Sequence, residues 1–372
     1  MKETSIAIIN DQQMFTGTFT QIYRIFENLK KHGLKCEFYQ FLINSGVPNL
    51  PKGLKTVEGY LSKVNGNSKS LYNLKLAVNF LSGRNWKQFK DVSGDVIILS
   101  YPSLLPLTRY LKRTIVEGHD LYFKYPENKS GLLGAYMRRM YNLYRNADRI
   151  IANSEFTKGE FTRELGISNE KISVVYRSVD ETVFHPGKSD LRSKLHINND
   201  STLLLSVGGD GKNKNIETII KLMKTLPEDF LLLRVGRNFN TMKLIDSLGL
   251  SRRVIILGNV DQSLLSELYR GSDIFLFPST FEGFGIPVVE AMASGLPVIT
   301  SNSASLPEVV GDAGIMCDPF DLECWKNSVE SIANDEALRI RLREMGIRRS
   351  KFFSTERQFT SLMTAIETVG RK

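Results

Sequence analysis

Two glutamates with seven residues between them, Glu282 and Glu290, mark the chemically densest stretch of this chain: Phe277-Pro278-Ser279-Thr280-Phe281-Glu282-Gly283-Phe284-Gly285-Ile286-Pro287-Val288-Val289-Glu290. The apolar run ending at Pro278 reads as a strand and the glycines as a loop, with Pro287 suited to a first helical turn. Free backbone N–H groups at such a helix start can hold hydroxyl or phosphate oxygens. Glu282 then lies in the loop and Glu290 in the first helical turns, so the two carboxylates sample one cleft at different depths. A second junction of this kind is Ser206-Val207-Gly208-Gly209-Asp210-Gly211-Lys212-Asn213-Lys214-Asn215. A lysine at a helix N-terminus adds a point charge to the helix dipole, a combination that neutralises a departing anion.

The first half of the chain offers two more strand ends with candidate residues. Glu117-Gly118-His119-Asp120-Leu121 places His119 at the carboxyl end of a strand, and Met14-Phe15-Thr16-Gly17-Thr18 follows the first strand and Asn10-Asp11. Farther on, Ser154 is suited to cap a helix that follows Ile150-Ile151-Ala152.

The paired glutamates, with the glycines and proline between them, resemble the signature of the retaining family 4 glycosyltransferases of the GT-B fold. The resemblance is dense over residues 202–320 and thin over the first 90. It implies that Glu282 hydrogen-bonds the hydroxyls of a donor sugar, helped by the backbone N–H groups of Phe284, Gly285 and Ile286. Glu290 would accept from the ribose hydroxyls of the nucleotide, since a carboxylate has two acceptor oxygens for a vicinal diol. Lys214-Asn215 is similar to the family's Lys-Asn and implies Lys214 at the diphosphate. Where some members carry an arginine after the strand this chain has Gly209, and Lys212 is the substitute at hand. His119-Asp120 looks like the family's His-Asp pair, which implies that His119 faces the donor sugar while Asp120 holds the loop. Of a glycine pair near the diphosphate and acceptor, Gly17 remains. Val260 stands where relatives meet the base through backbone groups, and Arg177 where they often have Asn.

The function implied is a retaining hexosyltransferase of glycan biosynthesis, moving a hexose from a nucleotide-diphosphate sugar to a saccharide or lipid-linked saccharide. No cofactor is expected. No Asp-x-Asp occurs in the chain, so the metal-bridging carboxylate pair of the other large glycosyltransferase class is missing and no metal is expected either. The rival readings are a degenerate GT-B nucleotide-binding protein and a GT-B-shaped epimerase or phosphorylase. A dehydrogenase fits poorly, because no Gly-x-Gly-x-x-Gly opens the first helix.

Positioning these residues requires strand ends, and the strands are legible as short β-branched runs over 5–9, 95–99, 114–117, 149–152 and 172–176. The rhythm restarts over 202–207, 230–235, 254–257, 274–277 and 297–300, with helical stretches between. Runs this continuously apolar read as parallel strands covered on both faces. The fold class expected is α/β, two doubly wound Rossmann-like domains facing each other across a cleft. Residues 1–185 form the acceptor side, 186–355 bind the nucleotide sugar, and 356–372 form a C-terminal helix crossing back.

The composition, 372 residues with 42% hydrophobic and 24% charged, is that of a globular protein. The formal net charge of +9 is confined to residues 1–184, which hold 26 Lys or Arg against 17 Asp or Glu, whereas 185–372 hold 23 of each. The first half should therefore face something anionic. A basic amphipathic segment over Leu71–Lys90 suggests an anionic membrane surface rather than nucleic acid. The start of the chain lacks the character of a signal peptide, so a cytoplasmic protein, peripheral on the inner face of the membrane, is expected. Cys36, Cys317 and Cys324 read as small buried hydrophobes.

Overall fold

The computed structural model describes residues 4–11, 17–42, 54–58, 89, 92–124, 131–198, 200–209, 211–236 and 241–370. The chain divides into two compact units, one comprising Met1–Tyr176 with Gln358–Lys372 and the other Arg177–Arg357.

The first unit holds a parallel sheet of β1 (Ile6–Asn10), β2 (Cys36–Leu42), β3 (Leu54–Glu58), β4 (Val96–Leu99), β5 (Thr114–Gly118), β6 (Arg149–Ala152) and β7 (Ile172–Val174), in the order β3-β2-β1-β4-β5-β6-β7. Helices α1 (Gly17–Lys31), α2 (Gly131–Tyr141) and α3 (Glu155–Leu165) lie between these strands in sequence. Alternation along β1 sorts the core: Ile6 and Ile8 pack with Ile22, Phe26 and Leu29 of α1, while Ala7 and Ile9 join the cluster that holds Met137, Tyr144 and Phe161.

The second unit holds β8 (Thr202–Val207), β9 (Phe230–Val235), β10 (Val254–Gly258), β11 (Ile274–Phe277), β12 (Val298–Ser301) and β13 (Ile315–Cys317), parallel in the order β10-β9-β8-β11-β12-β13. Its helices include α4 (Ile216–Thr225), α5 (Gln262–Gly271), α6 (Ile286–Ala293), α7 (Leu322–Asn334) and α8 (Glu336–Ser350). Trp325, fully buried on α7, packs with Leu204, Leu232, Ile274 and Met223. The last helix, α9 (Thr355–Gly370), contributes Leu362, Ile366 and Val369 to the α1 side of the first unit's core.

In each sheet the strand order reverses once, between β1 and β4 and between β8 and β11. Open α/β sheets bind ligands beyond the carboxyl ends of strands at such reversals.

Three strands escape the sequence expectation, β2, β3 and β13. Edge strand β3 is polar, and Glu37 and Gln40 interrupt the apolar run of β2, with Lys55 bridging to Glu37 across the pair at 2.7 Å. The cysteine expectation is corrected as well, because Cys317 and Cys324 form a disulfide and only Cys36 is a free thiol. The turn from the end of β13 into α7 brings their Cα atoms to 5.8 Å, within disulfide reach. Of the basic segment 71–90 only Phe89 is among the described residues, and it is buried against Phe41. Among the described residues, no helix is long and apolar enough to cross a membrane.

Gly118 ends the strand that leads to His119, and a Cβ there would meet two ring carbons of Phe161 at 2.7 Å. That ring is itself wedged edge-on against Tyr144, with centroids 4.6 Å apart. Gly118→Ala should destabilise the first unit by about 1–3 kcal/mol through overpacking. A urea-unfolding midpoint that does not fall would show that the ring has room to retreat.

Candidate active site

Lys214 and Glu282 meet in the second unit. Lys214 Nζ lies 2.5 Å from Glu282 Oε1, the side chains being 23% and 12% exposed, and the Ser279 hydroxyl donates to the same carboxylate oxygen at 2.6 Å. The lysine ammonium also sits 5.6 Å from the centre of the Phe277 ring. The two loops are stitched together by hydrogen bonds that leave little freedom in this meeting. Thr280 N donates to Asn213 O at 2.7 Å, Asn213 Nδ2 to Phe281 O at 3.0 Å, and Asn215 Nδ2 to Pro278 O at 3.2 Å and Pro319 O at 2.8 Å. Asn215 adopts a positive φ of 48°, a conformation asparagine tolerates better than most residues, and α4 begins immediately after it.

The loop carrying Glu282 is pinned from beneath by Ser305, whose hydroxyl donates to Glu282 O and Phe284 O. Phe284 is buried, and Gly285, with φ 104°, turns the chain into α6 at Ile286. A side chain at Gly285 would strike Leu306 Cδ2 at 2.8 Å as well as strain the backbone, so glycine is required on both counts. Glu290 follows on α6, where Tyr269 of α5 donates to its Oε2 at 3.0 Å. Burial, reinforced by the Glu290 charge, pushes the Tyr269 hydroxyl well above the usual phenol range. It therefore stays protonated and fixes the carboxylate.

The remaining expected residues of this unit stand apart from the ion pair. Lys212 is exposed on the 3₁₀ turn Lys212–Lys214, and half-buried Val260 follows the end of β10. Arg177 is buried. A residue that sequence reasoning missed is Arg234, fully buried on β9, whose guanidinium donates to Gly208 O at 2.7 Å and Gly209 O at 2.9 Å. A Cβ on Gly208 would lie 3.7 Å from Lys214 Cδ and 3.8 Å from Arg234 Nη1, so both cationic side chains border the same glycine. The available signal was one arginine inside the otherwise apolar run Phe230–Val235.

In the first unit, a chain of polar side chains crosses the carboxyl ends of the strands. Asn10 Nδ2 donates to Gln40 Oε1 at 2.8 Å, Ser100 Oγ to Asn10 Oδ1 at 2.6 Å, and His119 Nε2 lies 2.7 Å from Ser100 O. A carbonyl can only accept, so Nε2 carries the proton. The buried Glu117 carboxylate lies 3.5 Å from the same nitrogen, the Tyr101 ring packs at 5.2 Å, and Asn153 Nδ2 holds the His119 carbonyl at 2.8 Å. Asp120 accepts from Tyr122 N at 2.9 Å and so tightens the loop after His119. Gly17 is the exposed first residue of α1, and Ser154 caps α3 by accepting from Thr157 N at 3.0 Å.

Comparison with known proteins accounts for both units. The family model described as Glycosyl transferases group 1 matches residues 187–349, and that described as Glycosyltransferase Family 4 matches residues 15–183. The chain belongs to the family 4 glycosyltransferases. Over 234 residues this family 4 chain is 31% identical to the O-antigen chain mannosyltransferase RfbU of Salmonella typhimurium, a match covering 61% of the chain and 62% of that relative. The match thus spans less than two thirds of the relative's length. Sucrose-phosphate synthase from Thermosynechococcus elongatus superposes with a TM-score of 0.84 at 19% identity, covering 98% of this chain and 99% of that one. Anabaena HepE in complex with UDP-glucose gives 0.76 at 18% identity, covering 98% and 100%. The expected GT-B fold is thereby established.

In this family 4 glycosyltransferase, Arg234 borders Gly208 together with Lys214, and Lys212 shares the 3₁₀ turn of Lys214. Arg234→Met removes two charge-assisted hydrogen bonds to the glycine loop, with an expected loss of about 2–4 kcal/mol in stability and weaker binding of a nucleoside diphosphate. Lys212→Ala, at an exposed position, should shift stability by no more than about 0.5 kcal/mol. Urea titration with calorimetry on both variants separates them, and a larger binding loss for Lys212→Ala would assign the second cationic role to the loop lysine instead.

Proposed function

We propose that this chain transfers a hexose from a nucleotide-diphosphate sugar to a saccharide or lipid-linked saccharide, with retention at the anomeric carbon and without a metal ion. The observation that carries this reading is the Lys214–Glu282 contact held between two stitched loops at the strand reversal of the second sheet. The glycan-related name of the Salmonella relative supports a sugar acceptor, and the HepE complex supports a UDP-sugar type of donor.

On this reading Lys214 leaves Glu282 for the diphosphate of the donor and neutralises the charge that develops as the glycosidic bond breaks. Glu282 then accepts from hydroxyls of the sugar, the N–H groups of Phe284, Gly285 and Ile286 add donors at the start of α6, and Glu290 accepts from the ribose diol. His119 keeps the sugar-facing role implied by the resemblance, with its ring orientation set by Ser100 and Glu117. The acceptor hydroxyl attacks the anomeric carbon from the face the diphosphate leaves, and its proton passes to the departing phosphate oxygen. Gly17 and Val260 complete the donor contacts through backbone groups. The charge of the first half supports work at the anionic inner surface of a membrane, as a peripheral cytoplasmic enzyme.

This division of labour predicts that Glu290→Ala weakens binding of free nucleoside diphosphate, whereas Glu282→Ala abolishes turnover while diphosphate still binds. Calorimetry on the two variants checks it, and equal losses of affinity would remove the assignment. Transfer measured in EDTA should match transfer in Mg²⁺, and inhibition reversed by Mg²⁺ would contradict the metal-free mechanism.

A further inference from the structure

A cavity in the Arg177–Arg357 unit, of about 380 Å³, lies at the amino ends of β11 and β12, away from the strand ends that carry Lys214 and Glu282. Its walls include Arg192, Arg270, Arg339, Arg343, Asp273 and Ser294. One of the four arginines is neutralised, since Arg192 Nη2 lies 2.5 Å from Asp273 Oδ2. Arg270 Nη1 donates to Ser266 Oγ at 2.9 Å, and Arg339 Nη1 lies 3.3 Å from the carbonyls of Ile332 and Ala333 at the end of α7. Among the described residues, no carboxylate forms an ion pair with Arg270, Arg339 or Arg343.

Two polar atoms of this wall are buried without a hydrogen-bond partner, Arg270 Nε and Ser294 Oγ, and Ser294 is only 3% exposed. A buried donor left unsatisfied costs more than a satisfied one gains, so such atoms mark where a ligand's acceptors belong. Three unneutralised guanidinium groups, an orphaned N–H and an orphaned hydroxyl form a donor set with no carboxylate to match it. The complement is a dianion with several acceptor oxygens, and planar arginine forks suit phosphate oxygens in particular. The volume falls within the range of small-molecule sites and exceeds what a bare anion needs.

We propose that this cavity binds a phosphate monoester, its phosphate held by Arg270, Arg339 and Arg343 with Ser294. The site adjoins the surroundings of Glu290: Tyr269, which holds the Glu290 carboxylate, also lines this cavity, whereas Lys214, Glu282 and Glu290 lie outside its wall. Arg270 follows Tyr269, the partner of Glu290, and Ser294 N donates to Glu290 O at 3.0 Å. The ligand is a soluble sugar phosphate or the headgroup of a phosphate-bearing lipid, chemistries that share the monoester.

The test is calorimetric titration of the full chain with glycerol phosphate at low salt, on the natural protein, on Arg343→Gln, on Arg270→Gln/Arg343→Gln and on Lys214→Ala. Arg343 is exposed, so the single variant should keep the fold, which its melting temperature checks. Loss of charged hydrogen bonds should weaken glycerol phosphate at least about tenfold in the double variant and by a smaller factor in Arg343→Gln. Lys214→Ala should leave that affinity unchanged, and both arginine variants should bind nucleoside diphosphate normally. Flotation with vesicles of phosphatidic acid in phosphatidylcholine, against phosphatidylcholine alone, distinguishes the sources. Arg343-dependent retention identifies the lipid headgroup, and binding of the soluble ester without retention identifies a metabolite. Glycerol phosphate binding lost in Lys214→Ala but intact in the arginine variants, or no binding of either probe, would overturn the proposal.

Discussion

Lys214 and Glu282 can reach each other only because β8 and β11 are hydrogen-bonded neighbours, with Leu204 opposite Ile274, although 68 residues separate the two side chains along the chain. The parallel pairing sends both strand ends the same way, and the loops leaving them are tied by Asn213, Asn215 and Thr280 before either begins its helix. The cost of taking both charges out of water offsets much of the attraction of a partly buried ion pair, so this contact is not what holds the unit together. Its importance is geometric: the backbone hydrogen bonds fix the loops, and the fixed loops put a cation and a carboxylate at one point. A group that binds there must compete with an existing attraction, which favours ligands that supply an anion to the lysine and hydroxyl donors to the glutamate together.

The same logic governs the first unit with different chemistry. At the β1/β4 reversal neutral side chains make the links: Gln40, Asn10 and Ser100 pass hydrogen bonds along the strand ends until Ser100 O, with the Glu117 carboxylate beside it, fixes the ring of His119. Buried polar chains of this kind are costly unless every member finds a partner, and here each link supplies the next. Glu290 is fixed by an equivalent device, a buried tyrosine whose surroundings keep it a donor. In both units the candidate residues stand on loops or in the first two turns of a helix, and residues on neighbouring strands or helices decide where they point.

The sequence exposed these features unequally, for physical reasons. Strands such as Ile6–Asn10 and Phe230–Val235 were visible because a strand buried on both faces reads as a near-continuous apolar run, with a single polar residue in each. Cys36–Leu42, Leu54–Glu58 and Ile315–Cys317 were not, since they are edge or near-edge strands with mixed or very short patterns. Glu282, Glu290 and Lys214 stood out through glycine spacing, which reports backbone requirements such as the positive φ of Gly285. Arg234, Ser305 and Tyr269 act across separations of 21 residues for Tyr269 to Glu290 up to 26 for Arg234 to Gly208, and no local pattern encodes such partners. The disulfide is a similar case: a seven-residue separation between Cys317 and Cys324 means little until β13 and α7 give it a turn.

In the proposed function Lys214 is held by Glu282 in the absence of donor and released to the diphosphate on binding, and one affinity measurement bears on that exchange directly. Calorimetry of a nucleoside diphosphate, lacking the sugar, should show tighter binding to Glu282→Gln than to the natural chain, by roughly three- to tenfold for a partly buried ion pair relieved of its competition. The gain should vanish when Glu282→Gln is combined with Lys214→Met, because the competition it removes is with that lysine alone. Unchanged or weaker binding to Glu282→Gln, or a gain that persists without Lys214, would contradict the claim that the two residues exchange partners when the donor binds.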